Sequence, residues 1–196
     1  INLQQTSTSK VVIGESVYAD VEVAGYNHDN LADGSGKAPL TFLCVDAPNI
    51  KHRVNPNMDS TGGWISSEIR TFINGDLYNA LPTQLKNIIS KVNKLSDGGI
   101  NDQTLKTTVD SCWLLSFHEV NLTATDIVQG QGYAYDGIFS KDNYSRIKFV
   151  ADTTTGVQWW LRSTKGSNNF GSILSSGGFY AYFASSALYV VFGFCI

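Results

Sequence analysis

The sequence predicts a single α+β domain built mostly of short antiparallel strands, and three observations carry that expectation. Two amphipathic stripes of helical spacing sit together in the middle of the chain. β-rich stretches flank them on both sides, and the strands do not alternate with helices as βαβ units would. The length, 196 residues with 42% apolar and 16% charged side chains, suits one domain with a core of its own, or at most two small ones.

Lys10–Tyr26 is rich in Val and Tyr with near-alternation, and Gly14 could turn one strand into the next. Residues 27–39 (NHDNLADGSGKAP) are turn chemistry throughout and read as a loop. Leu40–Val45 reads as a buried strand, and 49–63, with Asn55-Pro56 and Gly62-Gly63, as another loop. The first helix is expected over Ser66–Asn74. Ser66 or Ser67 caps it, Glu68 lies in its first turn, Ile65, Ile69, Phe72 and Ile73 form its stripe, and Asn74-Gly75 stops it. The second is expected over Thr83–Val92, entered at Pro82 and striped by Leu85, Ile88, Ile89 and Val92. Strands return at Val109–Ser116, at Val157–Ser163 and in several pieces of the last thirty residues. Val11–Val23 and Tyr189–Ile196 are both core-like, so they are expected side by side, each covering the other's edge.

The net charge, 14 − 17 = −3, provides no basic face for phosphates and excludes an electrostatic nucleic-acid binder. The apolar run Ala187–Ile196 is too short to cross a bilayer, so no membrane insertion is expected. The chain opens on Ile with no basic-then-apolar leader, as a mature fragment or a domain cut from something longer would. Three distant cysteines, Cys44, Cys112 and Cys195, exclude a dense disulfide framework. They leave open one bridge with a free thiol or three reduced thiols.

No catalytic or metal motif emerges. Asp33–Ala38 carries the Gly-Lys of a phosphate loop, but Leu31 stands where the first glycine belongs and Ala38 offers no hydroxyl, so it reads as a solvated loop. His118 and Glu119 follow Ser116 on what reads as a strand. Adjacent side chains there point to opposite faces and cannot share a ligand. His28 and His52 stand in separate loops, and Asp29, Asp33 and Asp46 lack a calcium-loop spacing. Asn121-Leu-Thr123 and Asn143-Tyr-Ser145 fit the glycosylation triplet, which arises often by chance. No cofactor and no metal is expected.

The last segment differs. Its 31 residues from Gly166 to Ile196 contain no Asp, Glu, Lys, Arg or His, but eight aromatics, six serines and five glycines. Tyr189–Ile196 reads as core. Ser167–Leu188 lacks a steady period of two, and its mixture of Tyr, Ser, Gly and Asn is that of recognition loops.

Several stretches together carry a resemblance. They are Gly25-Tyr26-Asn27-His28, Leu40-Thr41-Phe42-Leu43, Gly62-Gly63-Trp64 with Ser67–Arg70, Trp113–Ser116 with Glu119, Trp159-Trp160-Leu161-Arg162-Ser163, and Phe192–Ile196. In this order they resemble a domain family of bacterial, phage and archaeal-virus proteins with a Trp-Trp-Leu-Arg-Ser signature. That family is similar to the C-type lectin fold in the branch shared with formylglycine-generating enzymes, and it includes variable proteins of diversity-generating retroelements. The resemblance spans about Lys10 to Ile196 and implies a C-type-lectin-like domain over residues 1–196, with 164–191 as a variable ligand-binding region. It also implies a virion or cell-surface setting and an unidentified protein or cell-surface ligand. The oligomeric state stays open, with a monomer slightly favoured.

Matched position by position, the variable sites are Ser167, Asn168, Asn169, Ser172, Leu174, Ser176, Gly178, Tyr180, Tyr182, Phe183, Ser186 and Leu188, with Gly177 and Phe179 as scaffold. The resemblance further implies that Trp159, Trp160 and Leu161 pack the core and that Arg162 is partnered beneath the surface. Adenine mutagenesis of asparagine codons in their first two bases cannot produce Lys, Glu, Gln, Met or Trp, and none of the five occurs after Lys165. The triplets and paired cysteines of calcium-dependent lectins are missing, as is a nearby companion for Cys195 of the kind the formylglycine enzymes use. A non-enzymatic binding protein is therefore expected. The rivals are a cysteine-dependent oxidase of the formylglycine-generating type and a structural phage or surface domain without a ligand.

Overall fold

The computed structural model describes residues 9–13, 17–150 and 153–196. It has few helices and many antiparallel strands gathered in small sheets, a mixed α and β architecture. Strands β1 (Ser9–Ile13) and β2 (Val17–Tyr26) pair in antiparallel register from Ile13–Val17 to Ser9–Val21. Gly14, expected to turn between them, lies outside the described residues. Next come β3 (Leu40–Cys44) and a two-residue strand, β4 (Lys51–His52), within what reads as loop.

The helical part departs from the sequence in instructive ways. Ser67 is the cap, its hydroxyl accepting from the Arg70 N–H, so α1 spans Glu68–Phe72. Asn74-Gly75 does not end it. The chain widens into a π turn over Ile73–Leu77 and continues as α2 (Tyr78–Ala80), 13 residues in all. The widening brings the Asn74 amide into the corner after Asp110. There it accepts from the Ser111 N–H at 2.8 Å and donates to the Cys112 carbonyl at 3.0 Å. Ile65 precedes the helix and is 41% exposed, so it is no part of the stripe.

The second helix is one turn only, α3 (Thr83–Lys86). Val92 instead opens strand β5 (Val92–Asp97), which pairs along its whole length with β6 (Leu105–Asp110), and Ile88 is 55% exposed. The tertiary demand for a hairpin partner overrides the local stripe. The expected strand Val109–Ser116 is likewise broken at Ser111, with β7 (Cys112–Leu114) following. Asp110 makes the break. Its buried carboxylate accepts from Trp64 Nε1 at 3.0 Å and from Arg70 Nε at 2.7 Å, which stops the chain from running on straight.

The rest is β8 (Lys148–Phe149), β9 (Gly156–Val157), β10 (Trp159–Thr164), β11 (Asn169–Ile173), β12 (Phe179–Phe183), β13 (Leu188–Tyr189) and β14 (Phe192–Cys195). One five-stranded sheet has the order β1-β2-β3-β14-β7 and the other β12-β11-β10-β13-β4. Both are antiparallel except where β10 meets β13. The first and last long strands thus share a sheet with β3 between them, not side by side as expected. Leu40–Cys44 is the more complete partner for both, since it bonds along its two edges.

The core lies between the sheets. Trp64, Trp113, Trp159, Trp160, Phe170 and Phe192 are buried, and so is every residue of β10, because both faces of that strand are covered.

Candidate functional site

Beneath the surface, one polar network fixes the frame. The register of β10 against β11 slips between Trp160 and Thr164, and this bulge turns Arg162 inward. Its five N–H groups all find acceptors. Nε donates to the Leu95 carbonyl (3.1 Å). Nη1 donates to the Leu114 carbonyl (2.7 Å) and Glu119 Oε2 (2.5 Å), and Nη2 to Glu119 Oε1 (2.9 Å) and the Gln131 carbonyl (3.0 Å). One side chain therefore ties β10 of one sheet to β7 of the other and to the β5–β6 hairpin.

Glu119 is presented by a reciprocal turn. The Ser116 N–H donates to its carboxylate at 3.0 Å while its own N–H donates to Ser116 Oγ at 3.1 Å. This is a capping box, Ser-x-x-Glu, and that spacing is the sequence signal that would have marked Glu119 as buried. His118, the neighbour read with it, points instead to Gln129 on the exposed side. Ser116 Oγ donates to the Gln131 carbonyl, so no Ser–His pair exists.

Lys94 extends the network, its ammonium 2.6 Å from Glu119, 2.7 Å from Asp29 and 4.3 Å from the Trp113 ring centre. Asp29 also accepts from Thr41 and Tyr135. Burial alone would raise the carboxyls of Asp29 and Glu119. For Asp29, Lys94 and its hydrogen bonds outweigh burial, and for Glu119 the charges of Arg162 and Lys94 do, so both sit below the usual carboxylate range. Above this cluster is a small cavity of about 60 Å³, edged by His28, Asn30, Lys37 and Asn93. Two acids, Asp29 and Glu119, and two bases, Lys94 and Arg162, pair with one another here.

His28 is stacked on Tyr135 with its Nδ1 3.3 Å from Asp29 Oδ2 and its Nε2 3.3 Å from the Ala134 carbonyl. Only the imidazolium can donate to both. The hydrogen bond to Asp29 is the main cause that raises its pKa above 6.5. A raised folded-state value means the stabilisation is whole below the unfolded value, about 6.5, and disappears as pH climbs through the folded one. Urea midpoints should fall over that window, and His28→Phe should flatten the slope. An unchanged slope in the variant contradicts the assignment.

The three thiols, Cys44, Cys112 and Cys195, are free and buried. Burial pushes Cys44 and Cys195 up to about 12 and raises Cys112 further, so none is a thiolate at neutral pH. Among the described residues no group of His, Cys, Asp and Glu stands close enough to hold a metal, and no helix is long and apolar enough to cross a membrane. Asp33 binds Ser35 and Asp46 accepts from the Phe149 N–H, each apart from Asp29.

The candidate variable residues rise from this frame on the β11–β12 hairpin and the loops beside it. Ser167, Asn168 and Ser176 are exposed, Tyr180 is 51% and Phe183 50% exposed, and Asn169, Leu174, Gly178, Tyr182, Ser186 and Leu188 are half-buried. Ser172 is the exception. It was expected on the surface, but it is 0% exposed, accepting from Gln158 Nε2 at 2.9 Å and donating to the Tyr180 carbonyl at 3.1 Å. Its register partners Trp160 and Tyr180 place it in the middle of the sheet, where neighbouring strands cover it.

Alternation along β12 splits the aromatics. Tyr180 and Tyr182 lie on the face of Phe170 and Trp160, whereas Phe179, Ala181 and Phe183 lie on the other. The rings of Tyr180, Tyr182 and Phe183 still form one cluster, with centroids 6.0 and 6.4 Å apart, wrapped around the rim of the sheet. A concavity of about 350 Å³ lies among them, lined by Asn169, Tyr180, Ala181, Tyr182 and Phe183.

Gly177 and Phe179 anchor the hairpin. A Cβ on Gly177, at φ +80°, would stand 1.8 Å from the Asn143 carbonyl, and Arg146 Nε donates to the Gly177 carbonyl. Phe179 meets Phe117 edge-on at 4.8 Å.

Residues 40–191, from β3 through the β11–β12 hairpin to just before β14, match the family described as Domain of unknown function (DUF6273). The chain belongs to the DUF6273 family. The match takes in the Arg162–Glu119 frame and the whole aromatic hairpin, and leaves out β1, β2 and β14. No curated protein and no solved structure matches the chain.

Proposed function

We propose that this DUF6273 protein is a non-enzymatic ligand-binding module of C-type-lectin-like fold. Its β11–β12 rim and adjoining loops, within 164–191, recognise a protein or cell-surface target. The observation that carries the reading is the rim itself. Tyr180 and Phe183 stand half exposed and Tyr182 half-buried around a concavity, without a charge in the segment, on a strand backed by the largely buried β11. Rigid aromatic anchors bordered by Ser, Asn and Gly combine large contact area with adaptable hydrogen bonding. Buried, protonated thiols give a cysteine oxidase no nucleophile, which favours binding over catalysis.

The resemblance to variable proteins of diversity-generating retroelements supplies the source of specificity. Exposed positions of the rim change between clones, while the Arg162 frame, Gly177 and Phe179 hold the backbone. Ser172, buried and bonded on two sides, belongs with the frame. Sequencing many copies of the gene from one population tests this. Substitutions clustered at Ser167, Asn168, Ser176, Tyr180, Tyr182 and Phe183, with near silence at Trp159–Ser163, are expected. Drift spread evenly over the chain defeats the reading.

A further inference from the structure

β12 is the outer strand of its sheet, and among the described residues nothing pairs with its far side. The parity of its ladder follows from two bonds, Ala184 N–H to the Asn168 carbonyl (2.9 Å) and Leu174 N–H to the Gly178 carbonyl (2.8 Å). Pairs in step with these, Phe170–Tyr182 and Ser172–Tyr180, are the hydrogen-bonded ones. Phe179, Ala181 and Phe183 therefore turn their N–H and C=O groups outward, and only the Phe183 carbonyl is used, by the Ser186 N–H. No Lys, Pro, charge or bulge guards this edge, although natural edges usually carry such a guard.

The strand reads Phe179-Tyr180-Ala181-Tyr182-Phe183, the same in both directions. An antiparallel partner with the same sequence meets like with like about Ala181, and a two-fold axis needs a self-complementary patch of this kind. From this we infer that a second copy of this chain is the occupant: two copies pair through β12 about an axis at Ala181, joining two five-stranded sheets into one.

The two Ala181 residues exchange both backbone bonds, and each Phe183 N–H donates to the other copy's Phe179 carbonyl. Tyr180 lies directly across from Tyr182 of the other copy, at the close spacing of a non-hydrogen-bonded pair, where aromatic cross-strand pairs stabilise a sheet. The small Ala181 side chain leaves room for the four phenylalanines around the axis. Because side chains project from the sheet faces, pairing at the edge takes up the outer edge of the rim at Ala181 and Phe183, and Tyr180 and Tyr182 stay on one sheet face. The pairing goes beyond the ligand-binding reading and does not depend on it.

Sedimentation velocity of the full chain, from low-micromolar to near-millimolar concentration, is the test. The mass is expected to rise from one chain toward two and no further. Ala181→Pro removes only an outward N–H and should hold the mass at one chain with the wild-type circular dichroism. Two double variants read the register. Tyr180→Glu with Tyr182→Glu sets like charges across the axis and should stay monomeric, whereas Tyr180→Glu with Tyr182→Lys sets opposite charges there and should pair. A wild-type chain that stays single throughout overturns the inference, as does open-ended assembly or a folded Ala181→Pro that still dimerises. If Ala181→Pro does not fold, the two double variants decide alone, and equal behaviour of both overturns it.

Discussion

Arg162→Met should lower the stability of the domain by about 3–5 kcal/mol, the range for removing one partner of a buried ion pair. Methionine nearly fills the space, so the loss reports charge and hydrogen bonding more than volume. The Leu95 and Leu114 carbonyls lose the guanidinium donor, the Gln131 carbonyl keeps only Ser116 Oγ, and Glu119 keeps only Lys94 and the Ser116 N–H. Equilibrium urea unfolding measures it, as a lower midpoint at unchanged slope. Adding Glu119→Leu should return part of the loss, since an apolar pair in a covered site can approach the stability of an ionic one. A single Arg162→Met within about 1 kcal/mol of wild type, the centre of ordinary point-mutant effects, contradicts the central role given to this side chain.

Trp160→Ala should cost on the order of 3–5 kcal/mol, as truncation of a buried aromatic does. The indole is fully buried, lies edge-on to Tyr182, and donates from Nε1 to the His52 carbonyl at 2.9 Å. Its removal leaves a cavity under the sheet and releases the strand Lys51–His52. Tyr180→Ala, twenty residues on and half exposed, should move the thermal melt by no more than about 0.5 kcal/mol. The contrast between the two is the measurement. If Tyr180→Ala unfolds the domain as Trp160→Ala does, the rim is core and cannot serve as a freely substitutable surface.

Much of the fold was legible where burial is two-sided or chemistry is local. Val157–Ser163 reads as a strand, and β10 occupies most of it as Trp159–Thr164. A serine at 66 or 67 reads as a cap because Glu68 and the stripe behind it agree, and Ser67 is the one that serves. The errors arose where distant partners decide. Asn74-Gly75 looks like a stop, yet Asn74 is claimed by Ser111 and Cys112, 37 and 38 residues away. Val92 sits at helical spacing from Leu85 and Ile88 but answers to Asp110 across a hairpin. Ser172 looks like any surface serine until its neighbours on two strands are known. The site divides the same way. Tyr180 and Phe183 announce themselves by composition, whereas the contact of Arg162 with Glu119 spans 43 residues and leaves no periodic trace beyond the Ser116-x-x-Glu119 box.

For the proposed ligand, the absence of charge on the rim also bears on how fast capture can run. Electrostatic steering can raise association rates far above the unsteered 10⁵–10⁶ M⁻¹s⁻¹ or so, and a rim of Tyr, Phe, Ser and Asn offers no such field. The rim itself then adds no steering, and an exchange of one uncharged side chain there for another changes chiefly how long a complex lasts, not how often it forms. If the rim is diversified as proposed, selection on it acts on residence time.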